Sequence, residues 1–175
     1  MLLGIDLGGT KIEGIVLKSR ENPKEVIRHR VNTEEEKGYS QVISNIKSLV
    51  DYIESNINHK FSKLGIGTPG TIDPESGLLK NSNSQCLNGM PIQKDLSKVL
   101  NKSILIQNDA NCFALAETLL GSVKDKHPNA KNVFGIIMGT GVGGGVIIDG
   151  KTVYGSQGIG GEWGHTIVTD SGDEC

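Results

Sequence analysis

Asp6 stands directly before Gly8-Gly9-Thr10-Lys11, at the end of the apolar run Leu2–Leu7. A turn without Cβ atoms lets backbone N–H groups approach an anion. A carboxylate at the strand end beside it can hold Mg²⁺, often through water. Thr10 or Lys11 is placed to touch a phosphate oxygen. The plainer alternative is that Asp6 merely closes a hairpin. The same design returns at Gly135-Ile-Ile-Met-Gly-Thr-Gly-Val-Gly-Gly-Gly145, an apolar strand, a Gly/Thr turn and a second apolar strand. Aligned residue for residue, Ile137 stands where Asp6 does and Val142 where Lys11 does. The second copy keeps the scaffold and lacks the acid and the base. Two such turns facing each other are expected to grip the phosphates of one nucleotide. The first motif is not a P-loop, because its spacing differs and a strand rather than a helix follows.

Asp109 sits where the apolar run Ile104–Gln107 gives way to helical periodicity over Ala110–Leu120. A helix N-terminus favours the ionised carboxylate. Held there, it can orient a hydroxyl and accept its proton during phosphoryl transfer, where positioning is the main contribution of the base. The competing reading is an ordinary first-turn acid. Gly158-Ile-Gly-Gly-Glu-Trp-Gly-His165 sets an acid, an aromatic and an imidazole among glycines. Glu162 can accept hydrogen bonds from sugar hydroxyls. His165 can donate one or bind a metal, and with Cys175 it would make half a zinc site. Asn81, Ser82 and Asn83 either read sugar hydroxyls or make Asx turns. Trp163 stacks on a sugar or packs in the core, and core packing is the expectation. Cys112 falls on the apolar side of its helix and is expected to be buried and inert.

The elements that must hold these residues follow from hydrophobic periodicity. Leu2–Leu7 and Ile12–Lys18 read as strands around the first turn, and Val26–Val31 as a third, giving an antiparallel meander. Glu34–His59 carries a 3.6-residue apolar stripe, with Thr33 as its N-cap and Glu34–Glu36 favoured by the helix dipole. Lys63–Gly67 is a strand ending at Thr68-Pro69-Gly70, and Asp73–Gly77 is turn chemistry. Gln93–Leu100 is a helix, Ile104–Gln107 a strand, and Ala110–Leu120 a helix stopped by Gly121. The polar stretch 122–132 marks a boundary. Beyond it Val133–Ile137 and Val146–Ile148 form a hairpin, followed by an Asp149-Gly150 turn.

Bulk properties narrow the classes. The 175 residues are 36% hydrophobic, and 24 glycines bring the apolar share to roughly 50%, an ordinary globular value. Net charge is −2 with no basic cluster, so nucleic acid is not an expected partner. No apolar run has the length of a membrane span, and a strand starting at Leu2 leaves no room for a signal peptide. Three unevenly spaced cysteines fit a reducing cytoplasm. About forty residues after the boundary cannot close a core of their own. The chain is therefore expected to be a fragment or to sit with a partner polypeptide.

GIDLGGTK at 4–11, GIGTPG at 65–70, NDANCFALAE at 108–117, GTGVGGGVIIDG at 139–150 and GIGGEWGH at 158–165 together resemble the ROK family of bacterial sugar kinases and related repressors. That family belongs to the actin/Hsp70/hexokinase superfamily. The resemblance implies an α/β fold. Residues 1–121 would form a ribonuclease H-like, actin-like ATPase lobe, a mixed sheet with helices on both faces. Residues 122–132 would link it to the beginning of a second similar lobe at 133–175. ATP with Mg²⁺ and a hexose would lie between the lobes. By residue-wise carry-over, Asp109 is the catalytic base, and Asn108, Glu162, His165 and one or both of Asn81 and Asn83 are sugar contacts. Asp6, Gly8, Gly9, Thr10 and Lys11 form the first phosphate loop, and Gly139, Thr140, Gly141, Gly143 and Gly144 the second. Zn²⁺ is implied for the complete protein, through His165 and a cysteine cluster of which Cys175 would be the first member.

Residues 77–100 and 160–165 look most like fructokinases and mannokinases. N-acetylglucosamine kinases are nearly as close, often with Phe at the position of Trp163, and glucokinases are more distant. The resemblance implies phosphorylation at the C6 hydroxyl, a cytoplasmic location and a frequent homodimer. This stretch by itself is not expected to turn over sugar. A transcriptional repressor would carry a DNA-binding helix-turn-helix ahead of the first strand, and none precedes Leu2. A non-catalytic sugar-binding module is the third reading. A sugar-free actin-like ATPase is the fourth, and it has no need of the Glu162–His165 loop.

Overall fold

The structure is a computed structural model, and it describes residues 1–139 and 141–164. Alternation of Leu3, Ile5 and Leu7 with Gly4 and Asp6 makes β1 (Leu2–Leu7) bury one face and leave the other bare. β2 (Lys11–Leu17) and β3 (Glu25–Asn32) follow as an antiparallel meander. α1 (Tyr39–Ile57) crosses to β4 (Lys63–Thr68), which lies parallel to β1. A small ribbon of β5 (Thr71–Ile72) and β6 (Leu79–Lys80) flanks the Asp73–Gly77 turn. α2 (Ile92–Leu100) then returns to β7 (Ser103–Asn108), parallel to β4. The sheet order is β3-β2-β1-β4-β7, the mixed sheet of the expected actin-like lobe.

α1 covers one face. Val42, Ile46, Leu49, Val50 and Ile53 are fully buried against Ile5, Ile12, Val16 and Ile66. Each such side chain contributes on the order of 1.5–3 kcal/mol by leaving water. The same helix carries buried Glu54. Its carboxylate accepts from Lys102 Nζ at 2.7 Å and from the Phe61 N–H at 2.8 Å, and pairs with Lys60 Nζ at 2.9 Å. This ties α1 to the segments before β4 and β7.

The helix starts later than its apolar stripe suggested. Thr33 is not an N-cap: its N–H donates to Thr10 O at 2.9 Å, which prolongs the meander by one residue. Glu34 then turns through a left-handed conformation, a single 3₁₀ turn spans Glu35–Lys37, and Gly38 stands ahead of α1. The acidic run opens this short turn rather than α1. At the other end Asn58 takes a left-handed cap (φ 49°) and stops the helix at Ile57.

α3 (Asp109–Leu119) follows β7 directly, with Asn108 as its N-cap. α4 (Ser122–Lys126) occupies part of the polar stretch expected to be linker. β8 (Asn132–Met138) and β9 (Val142–Ile148) form the second hairpin, and Asp149-Gly150, both at positive φ, turns it into β10 (Lys151–Thr152). β9 starts four residues earlier than its apolar pattern indicated, because Gly143–Gly145 are strand residues without side chains. α3 packs on both β8 and β9. At Gly135 a Cβ would lie 2.6 Å from Ala114 Cβ, and at Gly145 one would lie 2.8 Å from Ala110 O. These glycines let the helix backbone approach the hairpin. Among the described residues, no helix is long and apolar enough to cross a membrane.

Candidate active site

The parallel strands β1, β4 and β7 end on one side of the sheet, the side where open α/β sheets bind ligands. Asp6, Thr68 and Asn108 mark those ends. Asn108 is 6% exposed and works on both sides: its Oδ1 accepts the Asn111 N–H at 3.1 Å, and its Nδ2 donates to Gly70 O at 3.2 Å. The first bond caps α3 and the second pins the turn after β4. One amide hydrogen is left for a ligand. Asp109 is therefore fixed in the first turn of α3 between two anchored segments. Its Oδ1 accepts the Ala110 N–H at 2.8 Å, and the residue lines the cleft.

That cleft has a volume of about 1310 Å³ and is lined by Asn81, Asn83, Asn108, Asp109 and Glu162 together with Gly139, Gly141 and Gly143. Its size exceeds that of a typical single-ligand pocket. The asparagine wall is braced by Asn88, which also lines the cleft and which sequence reading missed. Its Oδ1 accepts the Ser82 N–H at 2.9 Å and its Nδ2 donates to Ser82 O at 2.8 Å. Asn81 is in the left-handed region (φ 59°), so it shapes the bend while Asn83 projects from it. The only hint in sequence was the Asn88-Gly89 pair, a common turn signal.

The opposite wall comes from the second hairpin. Gly139 and Gly141 belong to its turn, whereas Gly143 and Gly144 lie within β9. A Cβ on Gly143 would sit 3.4 Å from Ala110 Cβ and 3.8 Å from Glu162 Oε2, so Glu162 and the start of α3 meet over this strand. A Cβ on Gly144 would lie 2.6 Å from Gly161 O and 2.8 Å from Trp163 Cδ1, so this glycine seats the 158–164 loop. Trp163 is not a core residue. It is 36% exposed and meets Phe134 edge-to-face with ring centroids 6.4 Å apart. The two hairpins are also not equal in length. Leu7 pairs with Ile12 but Met138 with Val142, so the second turn is one residue shorter and Val142 corresponds to Ile12, not Lys11.

Gly8, Gly9, Thr10 and Lys11 do not line the cleft. Nor does Asp6, whose row across the sheet passes from Arg30 through Glu13 and Asp6 to Gly67. Solvent reaches Asp6, yet the protein hems it in. This partial desolvation, then Asp109 and Glu13, raise its carboxyl above the ordinary carboxylate range against the pull of Arg30. Asp109 thus acts on Asp6 as a like charge. Cys112, next to Gly67, is pushed up to about 11 by burial and then by Asp109 and Asp6. It is half-buried, and its thiol stays protonated at neutral pH, as its expected inertness requires.

The residues fit phosphate and a hard divalent ion in two respects. Among the described residues, Cβ atoms built on Gly139 and Gly141 meet nothing within 4 Å, which leaves room for a ligand beside this turn. Two mutually repelling carboxylates are also a donor set suited to Mg²⁺. Among the described residues no group of three or more His, Cys, Asp or Glu is arranged to hold a metal. Thr140, His165 and Cys175, and with the last two the expected zinc site, lie outside the described residues. Glu35 is a further residue that sequence reading passed over. Its Oε2 is buried without a hydrogen-bond partner among the described residues, close to Gly9 and Ser84.

A family model described as "ROK family" matches residues 2–175. An N-acetyl-D-glucosamine kinase of Aliivibrio fischeri is 39% identical over 166 residues, 95% of this chain and 52% of the relative. A ROK hexokinase from Thermus thermophilus superposes with a TM-score of 0.83 at 30% identity, covering 99% of this chain and 55% of that one. A ROK family glucokinase from Streptomyces griseus, solved with glucose and AMPPNP, gives 0.78 at 26% identity, covering 96% and 51%. The chain spans about half the length of the curated relatives it matches.

Proposed function

Because this chain belongs to the ROK family, we propose that it carries the sugar site and the catalytic base of an ATP-dependent hexose kinase, with N-acetyl-D-glucosamine as the substrate. The carrying observation is Asp109, anchored at the start of α3 in a cleft whose facing walls are the Asn81–Asn83 segment and the second glycine turn. The fructose or mannose expectation rested on residues 77–100 and 160–165. The 39% identity to an N-acetyl-D-glucosamine kinase favours the acetamido sugar instead.

Asp109 orients the attacking hydroxyl, which the family resemblance makes the C6 hydroxyl, and takes its proton as the bond to phosphorus forms. Asn83, Glu162 and the remaining amide hydrogen of Asn108 bind the other hydroxyls, with Asn81 shaping the wall; His165 joins them by the resemblance. The amides of Gly9 and Thr10 in the first turn hold the phosphates together with the second turn, which the Gly139 N–H closes by donating to Gly141 O at 2.9 Å, and Gly143 and Gly144 bring the loop bearing Glu162 up to them. Asp6 is the residue that would hold Mg²⁺, through water. The ion supplies neutralisation of the charge that builds on the transferred phosphoryl group.

ADP release by the full-length protein that contains this chain is measured with N-acetyl-D-glucosamine, fructose, mannose and glucose, each with MgATP. The acetamido sugar is expected to give the highest kcat/KM. Asp109→Asn is expected to lower kcat at least about 100-fold, the low end for a general base, while the calorimetric Kd for sugar changes less than about threefold. A near-normal kcat in that variant refutes the base, and fructose as the best substrate refutes the sugar.

A further inference from the structure

Thr33 is fully buried, and both of its polar backbone and side-chain donors go to one place. Its Oγ1 donates to Gly8 O at 2.6 Å, and its N–H donates to Thr10 O at 2.9 Å. Thr33 belongs to the edge of the meander, 25 residues from Gly8. It reaches the turn because β3 runs antiparallel to β2 in a register that pairs Lys11 with Asn32. The third carbonyl of the turn is taken as well, since Lys11 O accepts the Gly8 N–H at 3.0 Å.

A trans peptide is planar, so its C=O and the N–H of the next residue point in opposite directions. Holding Gly8 O against the Thr33 hydroxyl therefore turns the Gly9 N–H away from the sheet. Among the described residues, the amides of Gly9 and Thr10 donate to no other group of the chain. A turn with three of its four carbonyls (Gly8, Thr10 and Lys11) tied within the chain and the Gly9 and Thr10 amides left free is preset for an anion. Without the hydroxyl, the Gly8–Gly9 peptide is free to flip and present a carbonyl oxygen to a phosphate instead.

We infer that Thr33 is a positioning residue of the nucleotide site: its hydroxyl fixes the orientation of the Gly8–Gly9 peptide and so the affinity for the ATP phosphates. The inference rests on the kinase reading. Thr33 touches no substrate and acts through the turn. Asn45 on α1 is the outer brace, its Nδ2 donating to Thr33 O at 3.1 Å and Asn32 O at 3.2 Å.

Thr33→Val keeps the shape and removes the hydroxyl, and Thr33→Ser keeps the hydroxyl. In steady-state kinetics Thr33→Val is expected to raise the KM for ATP about tenfold with the sugar KM within twofold of wild type, and Thr33→Ser to restore the ATP KM to within twofold. A residue that only stabilised the fold would lower the thermal midpoint and the active fraction and leave both KM values alone. Folded Thr33→Val with a wild-type ATP KM overturns the inference. If Thr33→Val does not fold, Asn45→Ala takes its place, with about a threefold rise in ATP KM expected and an unchanged value overturning the inference. Full-length wild-type protein containing this chain that neither binds nucleotide nor releases ADP with any hexose sinks the kinase reading itself. Wild-type turnover with an unaffected Thr33→Val sinks only the role of Thr33.

Discussion

At Gly141 a methyl group would meet no described residue within 4 Å. Replacing this glycine should therefore cost the fold little, whereas a Cβ in the path of a phosphate should cost affinity. Gly141→Ala is expected to keep the thermal midpoint within a degree or two and to weaken binding of a non-hydrolysable ATP analogue about tenfold, as read by calorimetry. Unchanged affinity would remove the second turn from the nucleotide site. Asn108 shows a different economy. Its amide caps α3 and pins the turn at Gly70, and still leaves one hydrogen unused by either bond.

Among the elements, α1 illustrates how tertiary pairing overrides local signals. Thr33 followed by three acids and an apolar stripe reads as a helix entrance, yet a ladder bond to Thr10 keeps Thr33 extended. Farther along the helix, Glu54 makes α1 sensitive to acid. Burial works to raise its carboxyl, but the hydrogen bonds from Lys102, the Phe61 amide and Lys60 outweigh this and hold it below the ordinary value of 4.5. A carboxyl lowered in the folded state stabilises fully above its unfolded value, and that contribution is lost as pH falls through the folded one. The thermal midpoint should thus be flat near neutrality and drop below about pH 4.5, the unfolded reference, and Glu54→Ala should flatten part of that drop. At pH 7 the same variant leaves Lys102 buried without its partner and should cost about 3 kcal/mol or more. Thermal scans from pH 3 to 7 check both.

For the molecule as a whole, α3 is the joint. It begins at Asp109, touches the first sheet where Cys112 meets Gly67, and carries the second hairpin on its other side. The contact is at backbone distance. Gly135→Ala would bring a methyl within 2.6 Å of Ala114 Cβ and should destabilise by about 1–3 kcal/mol through overpacking. Adding Ala114→Gly removes the opposing methyl at a helix cost of about 1 kcal/mol. The double variant should be more stable than the sum of the two singles, by denaturant melts. Strict additivity would mean the helix and hairpin do not meet there.

Much of this was written in one dimension. Hydrophobic periodicity marked the strands of the meander, the stripe of α1 and the sites of the glycine turns, because alternation and 3.6-residue spacing are local. Asp109 after an apolar strand and Asp6 before a glycine turn were likewise legible as chemistry. The short ribbon of β5 and β6, the extra length of β9 and the brace of Asn88 on Ser82 were not. Their residues carry weak local preferences and are fixed only by what packs on them. Which strand end faces which turn, whether Thr33 caps a helix or clamps a loop, and how near Asp6 stands to Asp109 depend on contacts between residues far apart in sequence. No local pattern encodes those distances, and the tertiary structure alone decided them.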